Sequence, residues 1–473
     1  MTDVELKGMH FTEDYIDVKI AYIGGGSLNW ALKLMQDLAW DDRLAAQVRL
    51  YDTDLSAAQR NAIIGNRMAA TSNGKPTRYL VSETLSNTLK GADIVIISIL
   101  PGDFAEMAAD IDIPARFGIP QSVGDTVGPG GFNRALRAIP ELLHIGKAIG
   151  EYAPNAYVCN LSNPLSVLTG ALYAAFPGIK AWGECHEVTK IKRQVAWLAN
   201  QQKSEQCAYT HRDVQVNVLG INHFTFVDEI SLADNDLWDE YKSFAQDHIT
   251  SGWYQTEPEK DNEHARFFST NNRVAFDIFS KFNIAAAAGD RHLAEFFPAD
   301  VYLKDPSAWG FALTPVSYRI KDREIKRKQA EALKQGEVAL KPQRSDEALL
   351  DQIIALMGGQ SFTSNVNLPN TGQIKNLPLD SIVESNAMFS SAGIIPADAG
   401  ALPEDLSLLV KDHAMRQTDF LSAVVNEDSE ALLPLFSGDP LVQELSPSQA
   451  EKLWGEMHAA TKHCLPPSLH RVA

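Results

Sequence analysis

One short stretch constrains this chain more than any other. The apolar run Val18 to Ile23 breaks off into Gly24-Gly25-Gly26-Ser27; a helix-like segment, Leu28 to Leu38, follows, then a second apolar run, Val48 to Tyr51, that closes on Asp52. Strand, glycine turn, helix and strand make one βαβ unit, and such a unit commits the chain to a parallel sheet with helices on its faces. The alternation continues: a helical segment from Ser56 to Thr71, a buried strand from Ala92 to Leu100, a helix around Arg134 to Tyr152, and strands at Ala156 to Leu161 and Ile179 to Gly183. This is the pattern of an α/β, Rossmann-like, doubly wound domain.

The pattern changes near residue 200, which divides the chain into an N-terminal domain, 18–200, and a C-terminal α+β domain, 201–465. With 473 residues there is length for two or three domains of about 150 residues each. In the second part, Val214 to Gly220 reads as a strand and Ile284 to Ala288 as a strand or helix end. The charged segment Tyr318 to Pro342 reads as a helix with a solvated face. The Asn-, Pro- and Gly-rich segment Asn365 to Leu377 reads as loop or irregular chain, and Leu406 to Leu432 and Ser446 to Thr461 as closing helices.

A formal charge of −18 repels phosphate backbones and anionic lipid, so neither nucleic acid nor a membrane is an expected partner. The longest apolar run, Ile94 to Leu100, falls well short of the roughly 18–20 residues a bilayer requires. Four cysteines without a C-x-x-C pair, and no signal-like amino terminus, set the cytoplasm as the expected location.

The glycine turn lets backbone amides approach a pyrophosphate at a positively polarised helix end, although Asn29 departs from the third glycine of G-x-G-x-x-G. Asp52, at the tip of the second strand, can accept hydrogen bonds from both ribose hydroxyls and would repel a 2′-phosphate, which favours NAD over NADP. Ser98 to Gly102, including Pro101, and Asn160 to Pro164 close two further strands on the edge where ligands collect in such sheets. Cys185 and His223 each follow a strand, so a thiolate and an imidazole can meet at one cleft. Two protein ligands with open positions suit a substrate-chelated ion such as Mn²⁺.

Taken together, Ile23 to Ser27, Val123-Gly124-Asp125-Thr126-Val127-Gly128-Pro129-Gly130-Gly131, Asn163-Pro164 with Thr169, Cys185-His186-Glu187, Gly220 to His223 and Gly289-Asp290-Arg291-His292 resemble the NAD- and metal-dependent glycosidases of glycoside hydrolase family 4. The similarity runs from about residue 18 to 460 and is nearest to the bacterial α-galacturonidases of that family. It implies a dehydrogenase-like architecture and a redox route to hydrolysis, outside the usual two-carboxylate scheme. Hydride leaves C3 of the sugar for NAD⁺, the acidified C2 proton is removed, the glycosidic oxygen departs from C1, water adds, and the hydride returns. The metal, chelated by O2 and O3, stabilises the enolate.

Carried over to this sequence, the resemblance implies Gly24, Gly25, Gly26, Ser27, Asp52, Ser98, Pro101 and Asn160 at the NAD, and Cys185 and His223 at the metal. It implies Asn163, Asp125 and Arg291 at the sugar, His186 as the group protonating the leaving oxygen, and Asp290 or His292 as the C2 base. His186 stands where relatives acting on phosphorylated sugars carry a carboxylate or amide, which argues against a 6-phosphoglycoside. A uronate needs a cation for its carboxylate, and Arg116, Arg134, Arg291 and Arg319 are the candidates. The expected activity is removal of terminal galacturonic acid from pectin-derived oligosaccharides by a homodimer or homotetramer. Neutral α-galactosides or α-glucosides are the nearest alternative substrates; a malate- or lactate-type dehydrogenase and a non-catalytic NAD-binding regulator are the rivals of other classes.

Overall fold

The computed structural model describes residues 11–12, 15–71, 76–201, 208–233, 235–256, 258–259, 262–338 and 341–470; Cys207 lies outside them. Fourteen strands among these residues form two sheets: β1 (Phe11–Thr12), β2 (Tyr15–Ile23), β3 (Leu44–Tyr51), β4 (Arg78–Val81), β5 (Ile94–Ile97), β6 (Tyr157–Asn160), β7 (Lys180–Gly183), β8 (Val214–Ile221), β9 (Phe224–Leu232), β10 (Asn235–Asp236), β11 (Ala285–Ala286), β12 (Phe362–Pro369), β13 (Ile382–Ser390) and β14 (Gly393–Pro396). Ile94, Val95, Ile96 and Ile97 are all buried, as a strand covered by helices on both faces must be.

The larger sheet runs β14-β13-β12-β7-β6-β5-β2-β3-β4, with β1 paired to β2. From β7 to β4 every pairing is parallel. Counted from β2, the spatial order of these six strands is 6-5-4-1-2-3, the doubly wound dinucleotide order with its switch point between β2 and β5. The register pairs Ile23 with Tyr51 and Ile97, Ile97 with Asn160, and Asn160 with Gly183. The chain therefore leaves all five strands at one level, and Gly24, Asp52, Ser98, Leu161 and Glu184 stand along a single edge.

The segment Asn365 to Leu377 departs from the loop expected of it. Its first half lies in β12, which pairs antiparallel with β13 over eight residues and meets β7 at Asn367 opposite Gly183. Val366 and Leu368 are buried in the core, while Asn365 donates to the Cys185 carbonyl (3.3 Å) and to Glu384 Oε1 (2.9 Å). Asparagine is disfavoured in strands, but here partners across the sheet satisfy its amide. Only past Pro369 does the chain become irregular, stapled by Asn370 to the carbonyls of Ile374 (3.0 Å) and Leu377 (3.0 Å).

The smaller sheet contains β8, β9, β10 and β11, all paired antiparallel through β9. β8 and β9 are joined by the two residues Asn222 and His223, and His223 takes a left-handed φ of 64°. Such a φ is costly outside glycine and asparagine-like residues and tends to persist at functional positions. The hairpin tip holds the imidazole at a fixed point.

Two of the helices bear on the site. Gly128–Tyr152 begins six residues ahead of the expected start, inside the glycine-rich run, with Pro129 in its first turn where no backbone N–H is missed. The charged helix Val316–Gln335 is largely solvated as expected, except that Val316, Tyr318 and Ala330 are buried. No helix among the described residues is long and apolar enough to cross a membrane.

Candidate active site

At the switch point the glycine turn folds into a cradle without room for side chains. The Gly24 and Gly25 amides both donate to the Tyr51 carbonyl (2.9 Å each). A Cβ on Gly24 would lie 2.0 Å from the Ser98 carbonyl oxygen, one on Gly25 2.7 Å from Leu50 Cβ, and one on Gly26 2.6 Å from Ala57 Cβ. Gly24 also needs its φ of +87°. Asp52 Oδ2 accepts from the Gly26 amide (2.8 Å) and Oδ1 from Asp54 (2.9 Å), which fixes the carboxylate beside the turn with lone pairs to spare. Asn61 ties the carbonyls of Gly25 and Ser27 together (2.8 Å each) and Arg60 holds that of Gly26 (2.9 Å). This is the close-approach surface a pyrophosphate and ribose require, so the residues fit a dinucleotide.

The neighbouring edge residues support this cradle by bracing loops. Asn160 is fully buried, with its amide on Thr169 Oγ1 (3.2 Å) and the Ser162 carbonyl (3.3 Å) and its oxygen on the Ser162 amide (3.0 Å). Ser162 Oγ in turn accepts from the Ile99 amide (2.9 Å), and the Pro101 carbonyl accepts from Arg137 Nε (3.3 Å).

Further along the edge a second group assembles from five distant segments. The donor atoms of Asp125, His223 and His292 lie within 4.8 Å of one another. Thr126 Oγ1 stands 2.7 Å from Asp125 Oδ1 and 2.7 Å from His223 Nδ1. A hydroxyl has one proton; given to Asp125, it leaves the oxygen to accept from His223 Nδ1–H, so the Nε2 lone pair of His223 stays free for a cation. Asn163, whose peptide bond to Pro164 is cis, donates to Asp125 Oδ2 (3.0 Å). The rings of His223 and His292 lie with centroids 3.8 Å apart, tilted by 41°, and His292 Nε2 approaches Glu187 Oε1 at 4.0 Å. Glu187 Oε2 is held by the Gly289 amide (2.7 Å).

The electrostatics suit an ion. Burial would raise the Asp125 and Glu187 carboxyls, but the imidazoles of His292 and His223, with Arg134 at Asp125, outweigh it and hold both below the usual carboxylate range, Glu187 at about 2. Burial, assisted by His223, drives His292 down to about 3, so its imidazole is neutral. Ionised carboxylates beside the neutral His292 ring are donor states a divalent cation binds. The Cys185 thiol is pushed well up, first by burial and then by the Glu384 and Glu187 charges. Cys185 is not one of the three residues whose donors fall within 4.8 Å, although its carbonyl is fixed through Asn365 to Glu384.

The remaining expected residues sit at the border of this group. His186 is half exposed, packs on Trp30 (centroids 5.4 Å) and points Nδ1 at Glu347 Oε1, 3.6 Å away. Burial lowers its pKa, but the neighbouring Glu347 carboxylate outweighs that and raises it overall. Asp290 is fully buried and its carboxylate caps the helix Arg273–Phe282: Oδ1 accepts from Ala275 N (3.1 Å), and Oδ2 from Thr270 Oγ1 (2.6 Å) and Val274 N (3.3 Å). Arg291 donates to Ser122 Oγ (3.2 Å) and to Thr314 Oγ1, and lies over Phe268. Arg116 is turned outward to Glu456 (2.9 Å).

Thr126, Glu187, Glu295 and Glu347 were not singled out from the sequence. Thr126 and Glu187 lie inside the quoted motifs and Glu295 in the continuation Leu293-Ala294-Glu295-Phe296 of the last of them; Glu347 has no such signal, and it meets Lys33 across 314 residues as Glu295 meets Gly124 across 171.

A doubly wound sheet with a dinucleotide cradle and, on the same edge, a carboxylate–imidazole donor set defines a nucleotide-dependent enzyme of the α/β class. The family 4 glycosyl hydrolase model matches residues 19–201, and the model of that family's C-terminal domain matches residues 218–442. The α-galacturonidase of Thermoanaerobacter italicus is 42% identical over 95% of this chain and 98% of its own. The crystal structure of lplD from Bacillus subtilis superposes with a TM-score of 0.87 at 44% identity, covering 93% of this chain and 100% of that one. More distantly, a 6-phospho-α-glucosidase from gut microorganisms, solved with NAD and Mn²⁺, shares the fold at a TM-score of 0.79 and 18% identity over 95% of this chain and 99% of its own. The chain belongs to glycosyl hydrolase family 4.

Proposed function

We propose that this protein is an exo-acting α-galacturonidase that uses NAD⁺ and a divalent cation, Mn²⁺, to release terminal galacturonic acid from pectin-derived oligosaccharides. The observation that carries the reading is the 42% identity, over nearly the full length of both chains, to the α-galacturonidase of T. italicus. The site supports it, because a cradle that no Cβ could share and a donor set suited to a cation stand on one sheet edge. When bound, NAD⁺ supplies a reversible hydride acceptor and Mn²⁺ a Lewis acid.

The chain's own residues take the following parts in this proposal. Gly24, Gly25, Gly26 and Ser27 accept the pyrophosphate, Asp52 the ribose hydroxyls, and Ser98, Pro101 and Asn160 shape the nicotinamide side of the edge. His223, with Cys185, holds the cation, and Asp125 and Asn163 orient the sugar hydroxyls. His186 donates its proton to the departing oxygen, a role favoured by the neighbouring Glu347, which stabilises the imidazolium. Of the two candidates for removing the C2 proton, His292 has a neutral ring beside His223, whereas the Asp290 carboxylate is occupied by the amides of a helix start. The nucleotide part is assigned to 18–200 and the substrate part to 201–465, in a cytoplasmic homodimer or homotetramer.

Hydrolysis of p-nitrophenyl α-galacturonide and α-galactoside, with NAD⁺, Mn²⁺ and reductant present, tests the reading. Galacturonide hydrolysis without net NADH is expected, with C2 deuterium exchanging into solvent. Activity on the galactoside alone overturns the substrate, and NADH formed in proportion to product overturns the class.

A further inference from the structure

Beside Asp125, on the side away from the imidazoles, the structure gathers positive charge that the protein itself does not neutralise. Arg134 lies in the helix Gly128–Tyr152 and is 6% exposed; its NH1 reaches Asp125 Oδ2 only at 3.7 Å, and that oxygen already accepts from Asn163. Arg319 sits in the first turn of the helix Val316–Gln335, whose positive end adds to the local field. Burial lowers its pKa, and among the charges it feels are Asp125, Arg134 and Glu295. Arg291 feels Arg319 in turn. The Nε atoms of both Arg134 and Arg319 are buried with no hydrogen-bond partner among the described residues.

That arrangement is unfavourable as it stands. The one carboxylate oxygen that the described residues bring to Arg134 is Asp125 Oδ2, 3.7 Å away and already taken by Asn163. Two buried cationic donors without acceptors each carry a desolvation cost. A missing anion would supply the acceptors, and a planar one matches a guanidinium fork best.

We infer that Arg319 and Arg134 clamp the C5 carboxylate of the galacturonosyl ring, and so set the preference of the site for a uronate over a neutral hexose. The inference rests on the galacturonidase reading for the identity of the anion, and on the orphaned guanidinium donors for its place. Asp125 and Asn163, bonded to each other beside Arg134, are then the contacts of the same ring's hydroxyls. Arg291 is a less suitable clamp, since its Nε and NH2 already donate to Ser122 and Thr314.

Calorimetric titration of the NAD⁺- and Mn²⁺-loaded protein with D-galacturonate, D-galactose and D-galactose 6-phosphate tests this, comparing wild type with Arg319→Met and Arg319→Lys. The galacturonate-to-galactose affinity ratio is expected to fall about 100-fold in Arg319→Met, with part restored in Arg319→Lys, which keeps the charge but not the fork. Because an unpaired buried cation is removed, Arg319→Met is also expected to melt at or above the wild-type temperature without ligand, while losing the upward shift that galacturonate gives wild type. An unchanged ratio in Arg319→Met overturns the clamp. Tighter wild-type binding of the 6-phosphate than of galacturonate, lost in Arg319→Met, overturns the carboxylate as its ligand. Wild type that hydrolyses the galactoside and ignores galacturonate overturns the functional reading itself, and the clamp with it, a result distinguished by being already visible before any substitution.

Discussion

The nucleotide cradle and the ion-binding group occupy one sheet edge, yet they are built on opposite plans. In the cradle the side chains that hold the turn come from nearby: Gly26 bonds to Asp52 across 26 residues, Arg60 to Gly26 across 34 and Asn61 to Gly25 across 36. In the ion group Asp125 meets Asn163 across 38 residues, Thr126 meets His223 across 97, and Gly289 meets Glu187 across 102. The first is a supersecondary unit that closes on itself. The second exists only once the smaller sheet has docked on the larger, and its strained hairpin tip at His223 is held by that docking. Damage to the ion group should therefore leave the cradle working, whereas damage to the cradle should disturb the sheet on which both depend.

The largest effect is expected from His223→Ala. Removing a group that stabilises charge in the transition state costs roughly 10²–10³ in kcat, and Mn²⁺ titration followed by electron paramagnetic resonance should show weakened binding. The affinity for NAD⁺, measured by calorimetry, should hold. If NAD⁺ binding falls together with Mn²⁺ binding, the two regions are one cooperative unit and the comparison fails.

Thr126→Val sharpens the same contrast without touching a ligand. The loss of its hydroxyl frees the His223 tautomer and takes the proton from Asp125 Oδ1. A partner of this kind typically accounts for about 10- to 100-fold in metal affinity. Thr126→Ser, which keeps the hydroxyl, should recover most of it; equal loss in both variants would assign the effect to packing.

The same contrast explains what could be read from the sequence. Local periodicity and a glycine turn announce β2, β3 and the helix between them, because the turn is closed by residues no more than 36 positions away, even though β2 also pairs with the later strand β5. Five of the six parallel strands were legible from their own apolar runs; β4, an edge strand of which only Tyr79 is buried, was not read from the sequence. Neither was β12: Asn365 and Asn367 contradict strand propensity; Asn365 is satisfied by Glu384 from elsewhere in the chain, and the Asn367 side chain is buried with no hydrogen-bond partner among the described residues. Motif resemblance marked His223, Asp125 and Asn163 individually, but not that Thr126 joins them or that Asp290 is committed to a helix cap. The charged helix at Val316–Gln335 reads as solvated along most of its length, and composition gives no sign that Arg319 in its first turn keeps its Nε buried without a hydrogen-bond partner among the described residues.

Gly24→Ala probes the other side of the comparison. Its Cβ would fall 2.0 Å from the Ser98 carbonyl oxygen, and alanine disfavours the φ of +87°. The strained backbone alone costs about 1–3 kcal/mol, and the clash adds to it by forcing β2 from β5. A lower thermal midpoint together with weaker NAD⁺ binding is expected, with Mn²⁺ affinity reduced less. A variant that keeps its stability but loses only NAD⁺ would mean that the turn serves the nucleotide and not the sheet.

The smallest effect concerns the loop that presents Asp125. Glu295 accepts from the amides of Val123 (2.6 Å) and Gly124 (3.2 Å) and from Gln121 Nε2 (3.0 Å), and thereby fixes that loop from 171 residues or more away. Burial raises its carboxyl from 4.5 to about 7 despite these donors. The folded pKa exceeds the unfolded one, so the protonated group's contribution is complete below pH 4.5 and is lost progressively as pH rises to about 7. The thermal midpoint should accordingly decline across this window. Glu295→Gln cannot titrate and should flatten the decline, while lowering stability at every pH, because one face of the amide turns a donor toward groups that are donors themselves. A slope unchanged by the substitution would assign the pH dependence to other groups, and would leave Glu295 as a fixed anion that holds the loop by hydrogen bonds alone.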